Sequence, residues 1–293
     1  MNKKSFLLAL FTVIIWGSSF SGVRISLLGG YSSGHLVLMR FLIASSIFII
    51  YAIFPRTKFK LPRREDILKI LLLGFVGISI YHFGVTFGEQ TVSAGTASMF
   101  VGSAPIFTSL ISVMFLKERL SRTSWIGLFV GFIGILLITV GTSESSFRIS
   151  AGALLVLIAA IATSFFFVFQ KPLLLRYRPI ELTAYVTWAG TLPFLLFFPG
   201  FLDTVANATL GANLSAVYVG VFPAAIGYVT WATALSLGKA SSVSSLMYAE
   251  PVIAIIIAWI TLNELPSGLS VFGGIIAISS VIIVGWFEKR NYA

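Results

Sequence analysis

Apolar residues run in long blocks along this chain, separated by short polar segments. A helix needs roughly 20 mainly apolar residues to cross the hydrocarbon core of a bilayer. Ten blocks read as such spans: Ser5–Leu27, Gly34–Phe54, Ile67–Phe87, Ala94–Leu116, Trp125–Val140, Ser150–Gln170, Pro179–Pro199, Leu214–Leu235, Ala240–Leu262 and Gly268–Phe287. The longest polar stretch, Pro55–Asp66, reads as a loop, and the other connections are too short to hold a soluble domain. Asn2-Lys3-Lys4 ahead of an apolar run has the look of a signal peptide, but that run is about as long as those after it. It is read as a retained first helix. The expected fold class is an all-α integral membrane protein with ten transmembrane helices.

Composition closes the alternatives. Of 293 residues, 57% are hydrophobic and 10% charged, against about 25% charged in an ordinary soluble domain. Neither a water-soluble globule nor a disordered chain tolerates that balance. With no cysteine and two histidines, disulfides and thiolate sites are excluded and a histidine-based metal cluster is not expected. No metal or cofactor is expected.

The net charge of +10 acquires meaning from its placement. With the N-terminus cytoplasmic and the ten helices alternating, seventeen of the 20 basic residues fall on inside segments, chiefly Arg56–Lys69, Lys117–Arg122 and Lys171–Arg178. Arg148 alone falls outside, and Arg24 and Arg40 lie within spans. This is the positive-inside pattern. It predicts a multi-pass protein of the cell inner (cytoplasmic) membrane with both termini cytoplasmic, partnered by membrane lipids and not by nucleic acid.

Sliding the chain by 146 residues aligns it with itself. Pro105 falls on Pro251, Leu116-Lys117-Glu118 on Leu262-Asn263-Glu264, Ser121 on Ser267, Gly74 on Gly220, Gly127 on Gly273, Ala94 on Ala240 and Ser98 on Ser244. The register needs no gap from the third helix of one half to the end of the fifth. Residues 1–146 and 147–293 thus read as two five-helix repeats, and because five is odd the second enters the membrane inverted. Inverted repeats with a site near the midplane are a common architecture of secondary transporters.

Met39-Arg40-Phe41 in the second helix, Pro105 followed by Leu116-Lys117-Glu118-Arg119-Leu120, and Glu250-Pro251-Val252 with Leu262-Asn263-Glu264 stand in this order across two matched halves. The chain thereby resembles the EamA-type transporters of the drug/metabolite transporter superfamily over nearly its whole length. The resemblance implies ten helices, cytoplasmic termini, a cavity between the halves, and export of amino acids or other metabolites by alternating access. Import of a metabolite or vitamin and lipid flipping are the rival functions. The chain is not read as an enzyme: no nucleotide loop, zinc signature or nucleophile elbow occurs, so the energy comes from the solute gradient or a coupled ion.

Charges inside spans are costly and mark functional positions. Glu250 lies about 15 Å into its helix from Ala240, near the bilayer centre, and Arg40 about 9 Å in from Gly34, at about 1.5 Å per residue. Two readings are open. The pair locks the halves as an ion pair, or Arg40 holds a substrate carboxylate while Glu250 binds an amine or exchanges a proton. Glu250 is the stronger candidate, and the candidate for proton coupling. Pro251 supports it, since a helical proline frees the carbonyl of Met247 and bends the axis; Pro105 does the same to Val101. His82 is a titratable candidate or a neutral bonded histidine.

Trp16, Tyr81, Tyr185, Trp188, Tyr228, Trp231 and Tyr248 occupy span interiors and read either as walls of a partly polar cavity or as core. Of these, Trp16, Tyr81, Tyr185, Trp188, Trp231 and Tyr248 join Glu250, Arg40 and His82 as the expected small-molecule substrate site. Arg24 is expected to snorkel. Gly127, Gly131 and Gly134, with Gly273, Ala277 and Ser280, form small-residue seams for close helix packing.

Overall fold

The computed structural model describes residues 2–92, 94–142, 151–262 and 268–290. Arg148, Ser150 and the stretch Asn263-Glu264-Leu265 with Ser267 lie outside the described residues. Among those described there is no strand. In hydrocarbon each backbone polar group must be satisfied within its own segment, which favours helix throughout. The helices are α1 (Lys3–Leu28), α2 (Ser33–Ile53), α3 (Arg64–Gly88), α4 (Ala94–Gly102), α5 (Ala104–Phe115) and α6 (Arg122–Thr142). After them come α7 (Ala151–Gln170), α8 (Pro179–Phe197), the short α9 (Phe201–Asn207), α10 (Leu210–Leu237), α11 (Ala240–Thr261) and α12 (Gly268–Arg290). Among the described residues seven helices are long and apolar enough to cross a membrane: α1, α2, α3, α8, α10, α11 and the helix beginning at Ala151. Three shorter apolar helices, Phe100–Phe115, Arg122–Leu137 and Val271–Ser280, lie where the sequence places its fourth, fifth and tenth spans.

Short polar side chains start several helices by accepting a free first-turn N–H. Asn2 accepts from Ser5 (2.7 Å), Ser32 from His35 (3.2 Å) and Thr209 from Ala212 (3.2 Å). Within the helices, irregularities recur close to the 146-residue offset. A π-helical turn occupies Phe75–Ile80 in α3, and another occupies Phe222–Gly227 in α10. The break between α4 and α5 falls at Ser103, two residues before Pro105. A tight 3-10 stretch, Ser245–Ala249, immediately precedes Glu250-Pro251 in α11. Proline has no N–H to give, so the helix before it tightens or breaks.

The seams predicted from small residues bring α6 and α12 together along their lengths. A Cβ on Gly134 would lie 2.6 Å from the Ala277 nitrogen and 2.8 Å from the Gly273 carbonyl oxygen. Outward positions such as Leu68, Phe129, Ile260 and Phe272 are exposed and aliphatic or aromatic, as a lipid-facing surface requires.

The loops expected on the basic side meet at one end of the bundle. Tyr177 donates to Asp66 (2.9 Å), Arg176 donates to the same carboxylate (3.1 Å), and the Arg63 N–H donates to the Tyr177 hydroxyl (2.9 Å). Glu118 accepts from Lys171 (2.6 Å), and Lys239 donates to the Arg119 carbonyl (3.3 Å). At the opposite end Tyr31 donates to Asn213 (2.6 Å), and His35 bonds Thr204 (2.6 Å). The bundle is thus tied at both ends, and its polar interior lies between them.

Candidate binding cavity

A cavity in the middle of the bundle is lined by Trp16, Ser19, Phe20 and Val23 of α1, Arg40 of α2, and Tyr81, His82, Val85 and Glu89 from α3 and its end. Thr163 of α7, Pro223 and Tyr228 of α10, and Glu250 of α11 close it. Both π-helical turns lie immediately before cavity residues: Phe75–Ile80 precedes Tyr81 and His82, and Phe222–Gly227 precedes Tyr228. A π-turn inserts a residue into the helical count and rotates the side chains beyond it, a device common at functional sites. The π-turn of α10 also presents the Pro223 carbonyl, which accepts from the Trp16 indole N–H at 3.1 Å.

Aromatic packing fixes the walls. The Trp16 ring lies parallel to Phe167 at 6.1 Å between centroids and is tilted against Tyr228 at 5.4 Å. His82 is wedged between Phe41 and Tyr81, each 4.6 Å away, and its Nε2 is hydrogen-bonded to the Tyr228 hydroxyl at 2.8 Å.

The charged groups are left open. Arg40 is 3% exposed, Glu250 1% and Glu89 0%. Yet Arg40 Nε and Nη1, both Glu89 carboxylate oxygens, Glu250 Oε2 and His82 Nδ1 have no hydrogen-bond partner. Buried polar atoms are ordinarily paired, and an unpaired charge is more costly still. Several such atoms around one cavity are the arrangement expected of a site whose partners arrive with a ligand. The locking ion pair that the sequence left open between Arg40 and Glu250 is not formed at these atoms.

Of the sequence-predicted site residues, Glu250, Arg40, Trp16, Tyr81 and His82 come together here. Tyr185, Trp188, Trp231 and Tyr248 do not line the cavity. Tyr185 donates to the Lys60 carbonyl, and Trp188 donates to the Ser45 carbonyl at 3.2 Å; both rings pack on Phe59 near the basic end. Trp231 is fully buried behind Trp16 and Phe167, with ring centroids 5.0 and 4.9 Å away. Tyr248 donates to the Leu128 carbonyl at 2.9 Å and fills the space over Gly131. Pro105 and Pro251 do not line the cavity; they follow the helix break at Ser103 and the 3-10 stretch Ser245–Ala249.

Glu89 escapes the sequence reading because the third span is ended at Phe87, which puts Phe87-Gly88-Glu89 at a loop edge. The helix runs on to Gly88, and Glu89 turns inward. An acid directly after an apolar run is the available signal. Arg24, expected to snorkel, instead points its Nη1 at the Glu89 backbone carbonyl, 3.5 Å away.

The sequence pattern of the EamA-like transporter family matches residues 3–140 and again residues 150–286. The chain belongs to the EamA-like transporter family. This EamA-family chain is 39% identical over 267 residues to the uncharacterized transporter YdfC of Bacillus subtilis (strain 168), covering 91% of this chain and 86% of the relative. It is 36% identical over 274 residues to a protein of Streptantibioticus cattleyicolor described as a probable terminal-alkyne amino-acid exporter, covering 93% and 90%. A probable amino-acid metabolite efflux pump of Escherichia coli (strain K12) is 23% identical over 294 residues, covering 97% and 95%. A crystal structure 17% identical superposes with a TM-score of 0.79 over the whole of both chains, which establishes likeness of fold. The EamA family and these relatives are transporters, not enzymes, so a small-molecule substrate and a membrane setting follow for this chain.

Proposed function

We propose that this EamA-family protein is a ten-span secondary transporter that exports small metabolites, amino acids foremost, from the cytoplasm by alternating access. The observation that carries the reading is the central cavity, where the buried guanidinium of Arg40 and the buried carboxylate of Glu250 each keep an unpartnered polar atom. A zwitterion supplies the missing partners: its carboxylate for the Arg40 fork, its ammonium for Glu250. Trp16, Tyr81 and Tyr228 offer apolar faces to the part of the solute between. The two relatives described as amino-acid exporters or efflux pumps support the same solute class.

The seven long and three shorter apolar helices support the ten-span count, and the family match on each half supports division at residues 146 and 147. Gathering of the 55–66, 117–122 and 171–178 loops at one end supports cytoplasmic termini under the positive-inside rule. Glu250 then binds the amine or exchanges it for a proton. The test is counterflow in proteoliposomes loaded with a panel of L-amino acids, comparing wild type with Glu250→Gln at two pH values. Saturable exchange of one class, weakened and less pH-dependent in Glu250→Gln, is the expected result. No exchange of any amino acid by folded protein overturns it.

A further inference from the structure

The cavity holds one guanidinium facing it and two carboxylates. Glu89 is as deeply buried as Glu250, and neither of its oxygens has a partner. The groups that face it are Arg24 from α1, Arg40 from α2, Tyr81 and His82 from α3, Tyr228 from α10 and Glu250 from α11; α7 brings only Thr163, which does not ionise. Ser33 Oγ donates to the Thr86 carbonyl at 3.1 Å and so fixes the start of α2 against the end of α3. Arg40 and Glu89 therefore project from two neighbouring helices into one space. Arg24 donates to the Glu89 backbone carbonyl at 3.5 Å and is a second cation near that carboxylate, while Arg40 is the one that lines the cavity. The fork and the carboxylate share this space without a hydrogen bond between them.

We propose that Glu89 is the resident counter-ion of Arg40 and that a cargo carboxylate takes Arg40 over from it while Glu89 accepts a proton from water. This assignment rests on the transport reading of the cavity. With a cargo bound, its carboxylate is the third in the cavity, and Glu89, no longer facing a free guanidinium fork, does not stay ionised cheaply in a water-poor site. The cargo keeps its charge because it forms the bidentate bonds to Arg40, and Glu89, displaced, is the group that neutralises. Binding then consumes a proton. An ammonium group displacing a proton from Glu250 would do the opposite, so the sign of the proton change separates the two carboxylates.

The experiment uses the full-length protein in detergent with L-propargylglycine, a terminal-alkyne amino acid, as the probe. Calorimetric titration in buffers of differing ionisation enthalpy counts the protons linked to binding. Wild type is expected to take up a proton per ligand bound, and Glu89→Asp to retain that uptake. Glu89→Gln is expected to lose it and to bind on the order of tenfold more tightly, as when a competitor that leaves a site free about a tenth of the time is removed. Proton release by wild type, or uptake surviving in Glu89→Gln, overturns the proposal. A ligand-free arm measures melting of Glu89→Gln, Arg40→Gln and the double variant. Counter-ions give a double variant that melts higher than the two single losses summed; simple additivity overturns the assignment. If neither L-propargylglycine nor any common amino acid binds while this coupling holds, it is the amino-acid reading that fails, and the counter-ion pair stands.

Discussion

The Nε2 of His82 and the hydroxyl of Tyr228 lie 2.8 Å apart, and the two residues are separated by 146 positions, the offset at which the sequence aligns with itself. Ser45 and Thr191 share that separation and pair at 2.9 Å. Under the proposed arrangement of two inverted halves, equivalent residues touch only where both sit at the axis relating them. The cavity charges obey no such symmetry: Arg40, Glu89 and Glu250 have Val186, Leu235 and Ala104 at the equivalent positions. The family pattern is matched twice along the chain, whereas each of these charges stands in one half of the register alone.

Tyr228→Phe removes the hydroxyl and leaves His82 Nε2 buried without its partner. An orphaned buried group costs about 1–3 kcal/mol, so this variant is expected to melt lower than wild type by that margin. His82→Phe combined with Tyr228→Phe removes both partners, and the pair is expected to lose less than the two single changes added together. A melting curve for each of the four proteins measures it. Additive losses would show that the bond across the two halves carries no coupling.

The aromatic residues split by location. Trp16 lines the cavity and donates to the Pro223 carbonyl, whereas Trp188 donates to the Ser45 carbonyl beside Phe59. Trp16→Phe is expected to weaken counterflow of the best amino acid by roughly tenfold, the size of one lost hydrogen bond plus some packing. Trp188→Phe is expected to leave the apparent affinity within about twofold, in line with a site remote from the ligand. Equal effects from both substitutions would place the ligand elsewhere.

Long apolar runs made the helices legible, because such runs survive errors of a residue or two, and the 146-residue register lies close to the spacing of the two family matches. Which aromatic side chains reach the cavity was not legible. Successive helical residues point about 100° apart, so depth along a span does not fix facing, and a π-turn, as before Trp231, shifts the facing further. Phe75–Ile80 contains no proline to announce its π-turn, although Phe222-Pro223 does. Tyr185 and Tyr248 look like cavity residues by depth alone, and their facing decides otherwise. Glu89 was hidden for another reason: it caps the helix that ends at Gly88, and nothing in the sequence says that an acid at such a turn faces inward.

Glu118 joins the two halves at the basic end. Its carboxylate accepts from the Ser241 hydroxyl (2.7 Å) and the Ala240 N–H (2.9 Å) at the start of α11, and from Lys171 (2.6 Å) after α7. Burial alone would raise this carboxyl, but Lys171, the Ser241 hydroxyl and the Ala240 N–H outweigh it and hold it below its ordinary 4.5. A carboxyl lowered by folding contributes stability above its unfolded value, and that contribution is lost as pH falls through the lower folded value. Wild type is therefore expected to lose melting temperature on acidification below 4.5. Glu118→Gln should melt lower at neutral pH and show a flatter acid limb, measured as melting temperature against pH. Parallel curves for the two proteins would remove Glu118 from the acid response.

Glycine positions give the sharpest contrast between packing and open space. At Gly134 a Cβ would meet the Ala277 nitrogen at 2.6 Å and the Gly273 carbonyl oxygen at 2.8 Å, both backbone atoms that move only if α12 moves. At Gly211, near the start of α10, a Cβ would meet nothing within 4 Å. Gly134→Ala must push α6 and α12 apart, and overpacking of this kind costs about 1–3 kcal/mol. Gly211→Ala faces no such clash, and alanine favours helix over glycine by up to about 1 kcal/mol. The expected outcome is a lower melting temperature for Gly134→Ala and an unchanged or slightly higher one for Gly211→Ala. Flux separates two roles for the seam. If α6 and α12 move as one body, Gly134→Ala lowers stability and leaves the turnover of folded protein intact. If they slide against each other during transport, turnover falls further than stability does. Counterflow normalised to folded protein, measured beside the melting curves, distinguishes them.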